Sequence, residues 1–229
     1  MPETRQAFAE EVGRLETAAL GGLDLVIATL GRALEALDTQ DVELAELVIA
    51  DDDRIDGRYL EVHQGVLTLL ATQAPVATDL RTVAALLHVI KHVERMGDQA
   101  VNIAKLIPLT GHDPPVDQEI LAAVDRMGEL ATSEARQAKQ AFELRDVALA
   151  EDLVRQDEEV NRLNREVFQM TVRRGGEDCD RLEWAMTMVM VARALERVGD
   201  NAVDIGEQVA FVVTGLFREF SDASHPKPI

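Results

Sequence analysis

Glu94, Asp98 and Asn102 stand four residues apart, and the same spacing returns at Glu196, Asp200 and Asp204. Asp52 and Asp56 make one such step, as do Asp157 and Asn161. On a helix, residues spaced this way stack on one face, each a turn above the last. Oxygens so arranged can hold hard cations, share protons, or pair with arginine and lysine. Their register against the apolar residues sets them apart from surface acids. Leu80, Val83, Leu87, Ile90, Gly97 and Val101 mark a helical period, and Glu94 falls within it. Leu182, Ala185, Val189, Ala192, Gly199 and Val203 do the same around Glu196. Asp52 lies between Val48 and Ile55, and Asp157 between Leu153 and Val160.

Carboxylates stacked in an apolar seam repel one another and are costly to desolvate. Arg81, Lys91, Arg95 and Arg197 are candidate partners, trapped protons are a second answer, and cations a third. A solvated acidic face competes with all of these, because acids at four-residue steps are common on exposed helices. Duplication weighs against it. Residues 94–103 and 196–205 share seven of ten positions at an offset of 102, in the pattern ERxGDxAVxI. Gly97 and Gly199 remove side-chain bulk beside the acids, which leaves room for an ion or for close helix approach. The expectation is one cation site per half. All-oxygen ligation favours hard cations such as Fe(III), Mn, Mg or Ca. Asn102 and Asn161 offer an amide oxygen where the other copy has a carboxylate, so the two sites need not be equal.

A carboxylate-bridged oxidase of the ferritin type needs Glu-x-x-His on facing helices. His88 and His92 are four apart, but neither repeat contains that motif, and the second copy has Met190 and Ala194 instead. Both histidines are therefore expected to lack a ligand role. No GxxxxGK[ST] or GxGxxG occurs, and Cys179 sits among acids, a poor setting for a thiolate. Met186, Met188 and Met190 are expected to fill core. A carboxylate-ligated iron-storage or redox protein remains the alternative function.

The elements that must position these groups are helices. Aromatic residues make up only 3% of 229, which argues against a sheet-rich core. Apolar residues recur by threes and fours from Phe8 to Leu37, with Gly21 and Gly22 as a candidate kink. A second helix is expected from Leu44 to Leu69, ending before Pro75, a third opening at an N-cap Thr78, a fourth over 116–144, a fifth from Leu149 to Met170, and a sixth over 180–220. Breaks fall at Pro75, at 111–115 and at Gly175-Gly176. The fold expected is all-α: a first three-helix bundle over 1–112, a second over 113–221, and a disordered tail over 222–229. Whether the bundles share one core is left open by the pattern. Forty-two acids against 23 bases give a net charge of −19, which disfavours nucleic acid and anionic lipid surfaces. The single cysteine fits a reducing compartment, and neither a signal peptide nor a membrane-spanning run is expected.

The two ERxGD copies, together with Pro75-Val-Ala-Thr-Asp-Leu-Arg81, Arg5 and Phe8, and the Asp52-Asp53…Ile55-Asp56 element, resemble the PhoU family over residues 3–220. That resemblance implies paired three-helix bundles related by a pseudo-twofold axis. It implies a cytoplasmic, non-enzymatic regulator of phosphate uptake and of the phosphate-starvation response, peripheral to the membrane through its partners. Those partners would be the phosphate transporter's ATPase subunit and a sensor histidine kinase, and the chain would be a homodimer. Some members carry multinuclear iron clusters or other metals, and by that resemblance an oxygen-ligated metal (Fe, Mn, Mg or Zn) would bind Asp52, Asp56, Glu94, Asp98 and Asn102 in one half. Asp157, Asn161, Glu196, Asp200 and Asp204 would serve in the other.

Overall fold

The computed structural model describes residues 2–111, 114, 116–174 and 179–220. Among them every regular element is helical: α1 (Pro2–Thr39), α2 (Val42–Ala50), α3 (Asp53–Thr72), α4 (Thr78–Leu106), a 3₁₀ turn (Ile107–Thr110), α5 (Gln118–Leu144), α6 (Val147–Arg174) and α7 (Cys179–Thr214). The expected turn at Gly175-Gly176 and tail at 222–229 lie outside the described residues.

Each half runs up, down and up. α1, α3 and α4 form one bundle, with α2 leaning on α1 and α4; α5, α6 and α7 form the other. Glycines bring the axes together at two of these contacts: a Cβ on Gly22 would come within 3.0 Å of Val93, and one on Gly97 within 2.8 Å of Ile55. Gly22 thus marks the approach of α1 to α4, and α1 continues through it without a break. The halves then meet along two antiparallel pairs, α4 on α7 and α1 on α5. Lys139 Nζ lies 2.6 Å from Asp24 Oδ1, and Arg145 pairs with Glu16 across the second of these. One buried apolar cluster runs through both halves, so the bundles share a core.

Several expectations change. The second helix is interrupted: Asp52, Arg54 and Ile55 donate to carbonyls three residues back, a tightened turn between α2 and α3. Three consecutive aspartates are poor helix formers, and Arg32 draws the first of them, Asp51, toward α1 at 2.8 Å. Thr78 is the first residue of α4 rather than its cap, which is Ala77 at φ 49°. Pro75 presets the chain direction there, and the reversal from α3 to α4 is completed in that left-handed residue. Pro75, Val76 and Asp79 meet Arg5 and Phe8 around a cavity of about 190 Å³, bringing two distant parts of the resemblance together. α7 stops at Thr214, and residues 216–220 turn back at Gly215 (φ 76°) to seat Phe220 against Gly206. Leu80, Leu182, Met186 and Met190 are exposed, because the outward face of α4 and α7 is wider than a single seam suggests; Met188 alone of the three methionines is core. By length and composition alone, α1 from Arg5 to Thr39 is, among the described residues, apolar enough to cross a membrane, a test that a buried core helix also meets. Its apolar side, from Leu15 through Leu30 to Leu37, is buried against the other helices.

Arg81 leaves the acids and clamps the two halves. Its Nε donates to Val212 O at 3.2 Å, Nη2 donates to Thr78 Oγ1 at 3.0 Å, and the guanidinium lies over Gly215. A cation there answers an orphan carbonyl at the negative end of α7. Replacing Arg81 with Ala is expected to lower the unfolding free energy by about 1–2 kcal/mol in urea titrations, with Lys recovering part of the loss. An unchanged midpoint would show the clamp to be idle.

Candidate functional site

Two grooves, one between α3 and α4 and one between α6 and α7, collect the acids. In the first, Asp52, Asp56, Glu94 and Asp98 lie close enough to act on one another. Burial raises the carboxyl pKa of Asp52 above its ordinary value, and Asp56 and Glu94 add to the shift while Lys105 opposes it. Asp98 is raised by burial, then by Glu94, Asp52 and Asp56, with Lys91 opposing. Lys91 Nζ sits 2.6 Å from Glu94 Oε2. Two lysines thus answer this cluster, and the groove is open: Asp56 and Asp98 are exposed. The hollow left by Gly97 is taken up by Ile55.

The second groove is deeper. Asp157 and Glu196 face each other across α6 and α7, and α5 adds an acid that the four-residue steps do not contain, Glu134. Its residue is 0% exposed, and neither carboxyl oxygen has a hydrogen-bond partner. Asp157 Oδ1 and Glu196 Oε2 are also buried without partners. A Cβ on Gly199 would stand 2.6 Å from Glu134 Oε2 and 2.8 Å from Asp157 Oδ1, so both oxygens occupy the space that this glycine leaves. Asn161 Nδ2 donates to Asp157 Oδ2 at 2.6 Å, and Arg193 pairs with Glu196 Oε1. Burial pushes Glu134 up to about 9, helped by Asp157 and Asp200. Asp157 is pushed to about 7 by burial, with Asp200 and Glu196 adding to it. Glu196 is raised by burial and by Asp200, against Arg193 and Arg197.

Two of the expected site residues stand apart. Asp204 lies toward α4, its Oδ2 3.4 Å from His92 Nδ1, and Asn102 is exposed one turn beyond Asp98. His92 donates to Asn201 Oδ1 at 2.8 Å across the α4–α7 contact, and burial holds its pKa below the ordinary value. It is a joint between the halves. As the side chains stand, no three of the described His, Cys, Asp or Glu residues close on one point as a metal-holding group. Chemically, the second groove can take protons or a hard cation: it offers orphaned oxygens from three helices around a vacant Cβ position. Sequence reasoning missed Glu134, although the signal was present. Met127, Ala131, Glu134, Ala138 and Ala141 keep a helical period, and all five are buried.

A family model described as the PhoU domain matches the chain twice, at residues 23–107 and 124–209, once within each bundle. A phosphate-specific transport system accessory protein PhoU homologue of Zymomonas mobilis is 32% identical over 214 residues, covering 93% of this chain and 89% of that protein. The crystal structure of PhoU from Pseudomonas aeruginosa superposes with a TM-score of 0.86 at 26% identity, covering 91% of this chain and 100% of the other. PhoU from Streptococcus pneumoniae, described as a phosphate transport system regulatory protein, gives 0.79 at 27% identity, with 92% and 99% covered.

The buried acids make stability depend on pH. Between its ordinary value of 4.5 and about 9, Glu134 keeps its proton in the folded chain and loses it in the unfolded one. The unfolded state then binds fewer protons, so stability falls as pH rises, by at most about 1.4 kcal/mol per pH unit for this group. Glu134→Gln is expected to flatten that slope in urea unfolding between pH 5.5 and 8.5 in the presence of a chelator. An unchanged slope would mean that Glu134 is ionised in the folded chain.

Proposed function

The chain belongs to the PhoU family, and on that premise we propose that it is a non-enzymatic accessory protein of a phosphate-specific transport system, regulating uptake. In this reading it works in the cytoplasm as a homodimer and is an adaptor: one partner is the transporter's ATPase subunit, the other a sensor histidine kinase that it holds inactive when phosphate is plentiful.

The observation that carries the reading is the repetition of one acid-lined groove on equivalent helices of a duplicated fold. A single rigid body with two like but unequal faces suits a protein that must touch two partners. The charge of −19 steers basic partner surfaces toward it and repels phosphate backbones. Leu182, Met186 and Met190, exposed at four-residue steps on α7, add an apolar strip whose flexible methionines adapt to a partner. Oxygen-ligated ions (Fe, Mn, Mg or Zn) fit where the protein's own cations leave carboxylates unanswered. The orphaned oxygens around Gly199 meet that condition. Asp157, Asn161, Glu196 and Asp200 would hold the ion, which would supply positive charge and tie α6 to α7.

Purified ATPase subunit and the cytoplasmic part of the kinase, used as separate baits, are expected to retain the full chain. The variant E94Q/D98N/E196Q/D200N is expected to bind at least about tenfold more weakly, a loss of roughly 1.4 kcal/mol. Equal retention would remove the acids from recognition, and failure of either bait would end the adaptor reading.

A further inference from the structure

The two bundles share a motif but answer its charge in opposite ways. In the first, α1 presents Leu25, Ala28, Thr29 and Arg32 to the start of α3, and Arg32 bonds Asp51 at 2.8 Å. Ile55 fills the hollow at Gly97, and Lys105 lies near Asp52. In the second, α5 sends in the carboxylate of Glu134, the hollow at Gly199 is lined by acid oxygens, and the 102-residue offset places Glu207 where the first half has Lys105. The inner helix thus sets a cation on Asp51 at the start of α3 in the first half, and a buried, unpartnered carboxyl in the groove of the second.

We propose that the chain has one high-affinity cation site, in the second half, and that Glu134 is a ligand in it, supplied by a third helix outside the duplicated acid steps. Glu134 joins Asp157, Asn161, Glu196 and Asp200, with Asp157 beside it at the Gly199 hollow, and the ion is a hard divalent cation such as Mn²⁺. The proposal rests on the reading of the grooves as cation sites given above. Its physical basis is the cost of the alternative. A carboxyl with two unpartnered oxygens in a fully buried seam is disfavoured by several kcal/mol relative to an apolar residue of like size. A divalent ion in the Gly199 hollow offsets that cost by meeting Glu134 and Asp157 at once. Glu196 joins by turning off Arg193, whose side chain is 55% exposed, so that pair contributes little to be lost. In the first half Ile55 fills the hollow at Gly97, Lys91 and Lys105 answer two of the four acids, and the others reach solvent. Among the described residues no acid oxygen is therefore left buried and unpartnered there.

The test is Mn²⁺ titration of the full chain after chelator treatment, with free ion counted by electron paramagnetic resonance and thermal midpoints measured alongside. Wild type is expected to take up one tight ion per chain and to melt higher with it. Glu134→Gln should weaken binding about tenfold or more and abolish the midpoint rise. The double variant E94Q/D98N should leave both within about twofold. Gly199→Ala puts a methyl group into the hollow without changing any charge, and should weaken binding in the same way even if Glu134→Gln fails to fold. Two equal ions, each lost only with its own half's acids, would overturn the single site. Wild-type affinity in folded Glu134→Gln would overturn the role of Glu134 while sparing the acid steps. No uptake by wild type would overturn both.

Discussion

Negative oxygen held against apolar side chains is the constraint around which this fold is arranged. A carboxylate removed from water must find a proton, a protein cation or a metal ion, since the interior offers no other compensation of that size. The first half finds lysines: Lys91 at Glu94 and Lys105 beside Asp52. The second half has Arg193 on one oxygen of Glu196 and, among the described residues, leaves the other oxygen, with both of Glu134 and one of Asp157, without a hydrogen-bond partner. The glycines of the repeated motif matter because they decide what fills the space beside these acids. At Gly97 it is a branched hydrocarbon; at Gly199 it is carboxyl oxygen.

Duplication supplied two copies of one groove, and divergence of the inner helix separated their chemistry. α1 and α5 hold the same place in their bundles and pack on each other, yet they contribute different groups, Arg32 paired with Asp51 in one and the buried carboxyl of Glu134 in the other. Residues on the repeated helices changed less. The pairs Lys91–Glu94 and Arg193–Glu196 are the same three-residue contact at the 102-residue offset. The motif alone therefore says where acids stand, while the helix behind it says what they do.

Much of this was legible in the residues, and the limits have a physical pattern. Helical period and the ERxGD repeat placed Glu94 and Glu196 inward, as found: the Glu94 side chain is 18% exposed and Glu196 is 7%. Glu134 went unnoticed because it belongs to no repeat, although it occupies a seam position just as Glu94 does. Met186 and Met190 were misplaced because α4 and α7 each pack on two sides, within a bundle and across to the other, so one apolar period cannot tell which face remains outward. The break at Asp51-Asp52 and the return of 216–220 depend on contacts with α1 and with Gly206, which lie far away in sequence.

The geometry also joins the deep groove to the seam between the halves. Asp200 and Asp204 are one turn apart on α7; Asp200 acts on the buried acids, and Asp204 and Asn201 meet His92 of α4. Any event that fixes charge at Gly199 acts on a helix whose next turn is bonded to the first half. That helix is also bound at its far end by Arg81, so α4 holds it at two places. The second groove and the seam between the halves therefore stand on adjacent turns of one helix, and charge placed beside Gly199 lies one turn from the bonds that hold α7 to α4.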